Sequence, residues 1–278
     1  MTKAALATHA RLKKTLEDVR DKCDVAARIE RDPVGLVRAF ADPLDRELVG
    51  LVAASIAFGN ARTICNKLQE ILDRLGGAPR VKAEDARAVK KALAGFRHRV
   101  FTGDDVARLL IGARRVQKKH GSLGARFEGF LEKNDFREAL AKLCDEIRVA
   151  GEMGARHILP DVRAGSAVKR LVLWVKWMSR PDDGVDMGQW NVPTSSLVIP
   201  VDVHIHKLAR NLGLTDRNDT SWKTAEEITA GLAKLDRDDP TKYDFSLCHL
   251  GMLQRCPSRR DPKRCEGCPV KPMCRHWA

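Results

Sequence analysis

The sequence predicts an all-α fold. Apolar residues recur at helical spacing along most of the 278-residue chain, whereas the strict alternation that marks a half-buried strand is rare. Aromatic residues make up only 5% of the chain, with a single tyrosine, and this composition is low for a sheet protein. Glycine, proline and capping residues divide the apolar runs into segments of helical length, and we see no internal repeat.

The first half of the chain contains several well-marked helical segments. The sequence DRELVGLVAASIAFGNARTICNKLQEILDRLGG begins at Asp45 and predicts two apolar helices around a break at residues 58–60, and the glycine pair at 76–77 stops the second helix. The segment DDVARLLIGARRVQKKH, from Asp104, predicts a further helix whose basic end is typical of a solvated face. A glycine-punctuated turn and another helix follow it.

The second half continues the helical pattern. Ser166 is expected to cap a helix over AVKRLVLWVKWM, which ends where Pro181 begins a long polar loop. Asp202 is expected to cap the next helix, which ends at Gly213, because glycine is common just past a helix C-terminus. The segments TSWKTAEEITAGLAKL and DPTKYDFSLCHLGMLQRC complete the helical part.

The charge balance points to a nucleic-acid partner. Fifty Lys and Arg residues against 37 Asp and Glu residues leave a net charge of +13, so the surface should attract a polyanion; a basic surface without a partner is the alternative. No window approaches the run of about 18 apolar residues that a membrane span needs. The first residues also lack the apolar core of a signal peptide. We therefore expect no membrane association and a cytoplasmic, nucleoid-associated protein.

Half of the eight cysteines crowd into the last 23 residues. In a reducing compartment such a cluster is more often a metal site than a disulfide framework. Four thiolates suit either a tetrahedral zinc ion or a 4Fe-4S cluster, and on spacing alone zinc is favoured. The four candidate ligands, separated by eight, two and five residues, are Cys256, Cys265, Cys268 and Cys274.

This cysteine segment, LCHLGMLQRCPSRRDPKRCEGCPVKPMCRHW, resembles the C-terminal cluster loop of endonuclease III and the related adenine glycosylases. The last two intervals match, and the first is two residues longer here. The resemblance implies a 4Fe-4S cluster, with zinc as the alternative cofactor. It also implies a basic loop that docks on DNA phosphates, unless the charges only keep the cluster soluble. The candidate DNA contacts in the loop are Arg259, Arg260, Lys263 and Arg264.

The segment IPVDVHIHKLARNLGLT resembles the part of helix-hairpin-helix (HhH-GPD) DNA glycosylases in which an Asp at a helix start is catalytic. The resemblance implies that Asp202 stabilises positive charge on the deoxyribose or activates the nucleophile. From the residues alone, Asp202 could simply cap its helix, and the two roles are compatible. A metal site with His204 and His206 is rejected because residues two apart on a helix point to nearly opposite sides. His204 either supports Asp202, contacts a phosphate or is a plain surface histidine.

The segment AGSAVKRLVLWVKWM is similar to the helix that carries the Schiff-base lysine of archaeal 8-oxoguanine glycosylases. The similarity implies that Lys169, 33 residues before Asp202, is a nucleophile; the later Lys176 also matches, and a phosphate-binding role for Lys169 stays open. The preceding hairpin reads LPDVRAGSA, in which two glycines of the family pattern are replaced. The hairpin is therefore either reshaped or contacts phosphate through Arg163, with Ser166 as a further DNA contact.

Residues from about 45 onwards look like the uncharacterised bacterial DUF2400 family. Together the resemblances imply a two-lobed HhH-GPD-like fold. We expect an N-terminal helical segment at 1–44 that packs on the cluster lobe, a helical core at 45–255 and the cluster loop at 256–278.

The resulting hypothesis is a base-excision DNA repair enzyme. It would be a monomeric DNA glycosylase that flips a damaged base out of duplex DNA and also cleaves the abasic strand as a lyase. The archaeal likeness of the Lys169 segment favours 8-oxoguanine as that base. Phe58, Trp174, Trp177 and Trp190 are candidate stacking walls, with the protein core as their alternative place. A non-catalytic iron-sulfur DNA-binding protein and a zinc-stabilised RNA-binding protein are the competing interpretations.

Overall fold

The computed structural model describes residues 3–154 and 157–277. Helices dominate these ranges, which confirms the prediction of an all-α protein. One small feature was not predicted, an antiparallel hairpin of strands β1 (Arg97–His98) and β2 (Phe101–Thr102). Strands of two residues are too short to leave an alternating pattern, so periodicity could not have revealed them.

Fourteen helices lie within the described ranges. The first ten are α1 (Lys3–Asp21), α2 (Val25–Ile29), α3 (Pro33–Arg38), α4 (Pro43–Ser55), α5 (Ala61–Arg74), α6 (Pro79–Lys82), α7 (Ala86–Ala92), α8 (Gly103–His120), α9 (Leu123–Leu131) and α10 (Phe136–Ala150). The last four are α11 (Lys169–Ser179), α12 (Val203–Asn211), α13 (Trp222–Ala233) and α14 (Asp244–Leu253). No helix among the described residues is long and apolar enough to cross a membrane.

The chain divides into two compact units. Unit 1 comprises Met1–Asp24, Gly165–Val172 and Pro193–Ala278, and unit 2 comprises Val25–Ala164 and Leu173–Val192. Helix α11 therefore begins in unit 1 and ends in unit 2. Within unit 1, helices α1 and α12 both pack against α14. Lys169, Asp202 and the four C-terminal cysteines all lie in unit 1.

Polar caps explain where most helices begin. The Asn60 side chain accepts hydrogen bonds from Arg62 N at 3.0 Å and Thr63 N at 3.4 Å, so the predicted break at 58–60 is the start of α5. The predicted cap at Ser166 is wrong, because α11 begins only at Lys169. The Ser166 hydroxyl instead accepts from Val168 N at 3.3 Å, in the turn before the helix.

The tryptophan candidates belong to the core of unit 2. Trp174, Trp177 and Trp190 are all buried, and Trp190 Nε1 donates to the Glu47 carboxylate at 2.8 Å. Trp174 Nε1 donates to the backbone carbonyl of the same Glu47 at 3.2 Å. Because these rings are buried in the core, their suggested role as stacking walls is wrong. The hydrogen bonds to Glu47 satisfy the indole N–H groups of Trp174 and Trp190, as burial of a tryptophan requires. Only Phe58 of the four aromatic candidates is exposed.

Candidate active site and cysteine cavity

Lys169 and Asp202 form an ion pair, with 3.1 Å between Nζ and Oδ2. Each residue lies at the start of a helix, since Lys169 is the first residue of α11 and Asp202 is the N-cap of α12. The second carboxylate oxygen, Oδ1, accepts from His204 N and Ile205 N, both at 2.9 Å. The carboxylate thus caps its helix with one oxygen and faces the lysine with the other. Sequence reasoning singled out both residues, and the structure brings them together.

Cys248 is a third member of this group that sequence reasoning missed. Its thiol donates to Asp202 Oδ2, with 3.6 Å between sulfur and oxygen. The contact arises from the packing of α12 on α14, which depends on Gly251: a Cβ there would lie 3.1 Å from the Cβ of His204. No motif links a cysteine in α14 to an aspartate 46 residues earlier, so only the tertiary structure reveals the contact.

Burial and the neighbouring charges shift the pKa values of Lys169 and Asp202 in opposite directions, and they also shift the pKa of Cys248. Burial raises the pKa of Asp202, but the Lys169 ammonium and the Ile205 amide outweigh it and hold that pKa below its ordinary value. Burial lowers the pKa of Lys169, but the Asp202 carboxylate outweighs it and raises that pKa above its ordinary value. Burial, followed by Asp202, raises the pKa of Cys248 well above the usual range. At neutral pH the resting group is therefore an ammonium, a carboxylate and a neutral thiol.

Lys176, the other matching lysine, lies in the core of unit 2. Its side chain is only 1% exposed, and both oxygens of Asp186 lie 3.1 Å from its Nζ. Arg180 also pairs with this carboxylate. A lysine that is enclosed and neutralised in this way is a structural ion pair rather than an accessible amine.

The four C-terminal cysteines line one cavity in unit 1. No carboxylate lines it, and Asn211 Nδ2 donates to Cys256 Sγ at 3.3 Å. Two other lining residues, His276 and Trp277, have buried ring nitrogens without a hydrogen-bond partner among the described atoms. Within residues 3–154 and 157–277, no group of three or more His, Cys, Asp or Glu side chains is arranged so that it could hold a metal ion. The four thiols thus share the lining of one cavity.

Cationic side chains lie beside this cavity. The Arg260 guanidinium lies 4.1 Å and the Lys271 ammonium 4.2 Å from the centre of the Trp277 ring. Such cation–π contacts orient charged side chains without neutralising them. The predicted loop contacts Arg259, Lys263 and Arg264 are exposed as well.

The predicted hairpin contact, Arg163, is already paired. Its guanidinium donates to Glu138 at 2.7 Å and to Asp145 at 2.8 Å, all within unit 2. Asp161 accepts from Arg163 N at 2.9 Å, so the side chain that replaces a family glycine organises a local turn. The charge of Arg163 is thus balanced by carboxylates before any phosphate approaches.

The comparison with protein families matches residues 32–253 to the family described as "Protein of unknown function (DUF2400)". The chain belongs to the DUF2400 family. The match covers about four-fifths of the chain and confirms that part of the sequence analysis. It includes Lys169, Asp202 and Cys248, whereas the four cavity cysteines lie after its end. The search of curated proteins finds no match.

Proposed function

We propose that this DUF2400 protein is a DNA glycosylase that excises a damaged or modified base through Lys169 and then cleaves the abasic strand. The Lys169–Asp202 ion pair carries the proposal, because a lysine and a carboxylate at two helix starts are what the resemblance to archaeal 8-oxoguanine glycosylases and HhH-GPD enzymes requires. The proposal includes the two-lobed HhH-GPD-like fold, lesion-bearing duplex DNA as the partner of a monomer, and a place in the cytoplasm at the nucleoid.

The first chemical step reverses the resting proton distribution of the pair, in which the lysine is an ammonium and the aspartate a carboxylate, and this reversal costs free energy. Lys169 gives one proton to Asp202 Oδ2, 3.1 Å away, and its free amine attacks C1′ of the flipped nucleotide. The bond between C1′ and the base breaks, and the leaving base takes the second proton of the attacking nitrogen. Asp202 then protonates the ring oxygen as the C1′–O4′ bond opens. A protonated Schiff base on Lys169 results, beside the regenerated Asp202 carboxylate.

The second step is strand cleavage. A water molecule takes a proton from C2′ of the Schiff base, and the C3′–O bond breaks so that the 3′ phosphate leaves as an anion. A second water then hydrolyses the unsaturated Schiff base and frees the lysine amine. The Asp202 carboxylate stabilises the iminium charge throughout, and its cap bonds to His204 N and Ile205 N hold it in place. Cys248 stays a neutral thiol and adds no competing negative charge.

A 4Fe-4S cluster is the cofactor that we propose for the cysteine cavity. The resemblance to the cluster loop of endonuclease III implies it, and four thiols, the ligands that such a cluster takes, line this one cavity. Zinc, which also takes four thiolates, is the alternative. When bound, the cluster holds the basic loop in order and supplies a one-electron redox centre. Cys256, Cys265, Cys268 and Cys274 would hold it.

A second candidate function is a non-catalytic iron-sulfur DNA-binding protein. The pairing of Arg163 with Glu138 and Asp145 favours it, because the hairpin then lacks both the family glycines and a free cation for phosphate binding. The exposed cations at 259–264 would still provide binding to DNA.

Base release under single-turnover conditions separates the two functions. Anaerobically purified protein is incubated with duplexes that carry 8-oxoguanine, uracil, thymine glycol or an abasic site. We expect release of one base, loss of release in Lys169→Gln and retention in Lys207→Gln, a control that changes an exposed lysine on α12. Tight DNA binding without base release or strand cleavage on any duplex would favour the non-catalytic function instead.

A further inference from the structure

Asn211 connects the cysteine cavity to the helix that carries Asp202. It is the last residue of α12, whose N-cap is Asp202, and it is only 8% exposed. Its side-chain amide donates to Cys256 Sγ at 3.3 Å and to the Pro257 carbonyl at 3.2 Å. Its backbone carbonyl accepts from Arg275 N at 2.7 Å. One asparagine thus binds both ends of the cysteine segment.

The hydrogen bond to sulfur has an electronic consequence beyond packing. The Pro257 carbonyl could satisfy one amide N–H, but the second N–H faces a cysteine sulfur. A thiolate ligand becomes more electron-rich when its cluster gains an electron, so an N–H donor stabilises the reduced state more than the oxidised state. Burial strengthens this difference because water does not screen it.

We propose that Asn211 sets the reduction potential of the iron-sulfur cluster through its hydrogen bond to Cys256 and, as a positioning residue, ties the helix of Asp202 to the cluster loop. The inference rests on the cluster of the proposed function. It predicts that electron gain by the cluster and the placement of Asp202 depend on the same side chain.

The test compares reduction potentials of the folded, cluster-containing protein. Asn211→Leu keeps a side chain of similar size but removes the N–H donor, so reduction becomes less favourable. We expect the equilibrium constant of reduction to fall at least tenfold, which is about 59 mV for a one-electron couple. Redox titration followed by absorbance and electron paramagnetic resonance measures the shift. The control is Asn218→Leu, an exposed asparagine in the same unit, and its potential should equal that of the wild type.

The outcomes separate this inference from the proposed function. A wild-type protein without iron would contradict the cluster itself and, with it, the inference. Iron present at full content with an unchanged potential in Asn211→Leu would overturn only the role of Asn211. If Asn211→Leu fails to retain iron, Asn211→Asp is titrated in its place, because it has the same shape and an oxygen where the donor was. A potential that is not lowered in Asn211→Asp would likewise overturn the proposal.

Discussion

At the scale of single residues, Asp202 combines a structural and a chemical role. Its Oδ1 satisfies two backbone amides at the start of α12, and its Oδ2 holds the Lys169 ammonium and the Cys248 thiol. The sequence alone offered capping and catalysis as two interpretations, and the geometry is compatible with both at once. Because one oxygen caps the helix and the other pairs with Lys169, mutation can remove the charge without removing the cap.

Asp202→Asn is predicted to keep the cap and remove the charge. Asparagine caps helices about as well as aspartate, so thermal stability should change little, whereas Asp202→Ala should cost about 1 kcal/mol. Without the carboxylate, the largest influence that raises the pKa of Lys169 is lost, while burial still lowers it, so that pKa falls relative to the wild type. Nuclear magnetic resonance of reductively ¹³C-methylated protein should therefore show the Lys169 signal titrating at lower pH in Asp202→Asn. An unchanged or higher pKa would contradict this account of the pair.

At the scale of helices, local sequence was most informative where side chains cap helix ends. Asp202 caps its helix as predicted, and Asn60, the last residue of the predicted break, caps α5, because capping needs only residues close in the chain. Ser166 misled because the turn before α11, with Val168 at a φ of 37°, delays the helix start to Lys169. Cys248 was unpredictable for a different reason, since its contact requires α12 and α14 to be packed.

Glu146 on α10 is predicted to give unit 2 an acid-sensitive link between helices. Burial raises its pKa, but hydrogen bonds from His120, Arg126 and Lys119 outweigh it and lower the pKa from 4.5 to about 2. The carboxylate therefore stabilises the folded state above pH 4.5, and this contribution is lost as the pH falls towards 2. Chemical denaturation across this window measures the free energy of unfolding, which should depend less on pH in Glu146→Gln than in the wild type. The exposed Glu132→Gln serves as control and should behave as the wild type.

At the scale of the whole molecule, composition and periodicity predicted the all-α class, and the resemblance of sequence segments predicted the family. They could not predict the division into two units, because the segments of each unit are discontinuous in sequence. Nor could they predict which charges remain free: Arg163 is neutralised by Glu138 and Asp145, whereas Arg259 and Lys263 stay exposed. The positions of the unpaired cations therefore say more about where DNA would bind than the net charge of +13 does.

The exposed loop cations are predicted to dominate the salt dependence of DNA binding. Each of Arg259→Gln and Lys263→Gln should reduce the slope of log K against log salt by about one, because each removes one phosphate contact. Lys90→Gln, an exposed lysine in unit 2, should leave the slope unchanged. Fluorescence anisotropy with a labelled duplex at several salt concentrations measures these slopes. Equal slopes for all variants and the wild type would show that the cysteine loop does not contact DNA.

The central claim is that Lys169 is the amine that attacks the damaged nucleotide. Borohydride reduction during turnover converts a Schiff base into a stable bond, and peptide mass spectrometry then identifies the lysine that carries the sugar. We predict an adduct on the peptide of Lys169, absent from Lys169→Gln and retained in Lys207→Gln. Base release without any trapped adduct, or an adduct on another lysine, would contradict the claim.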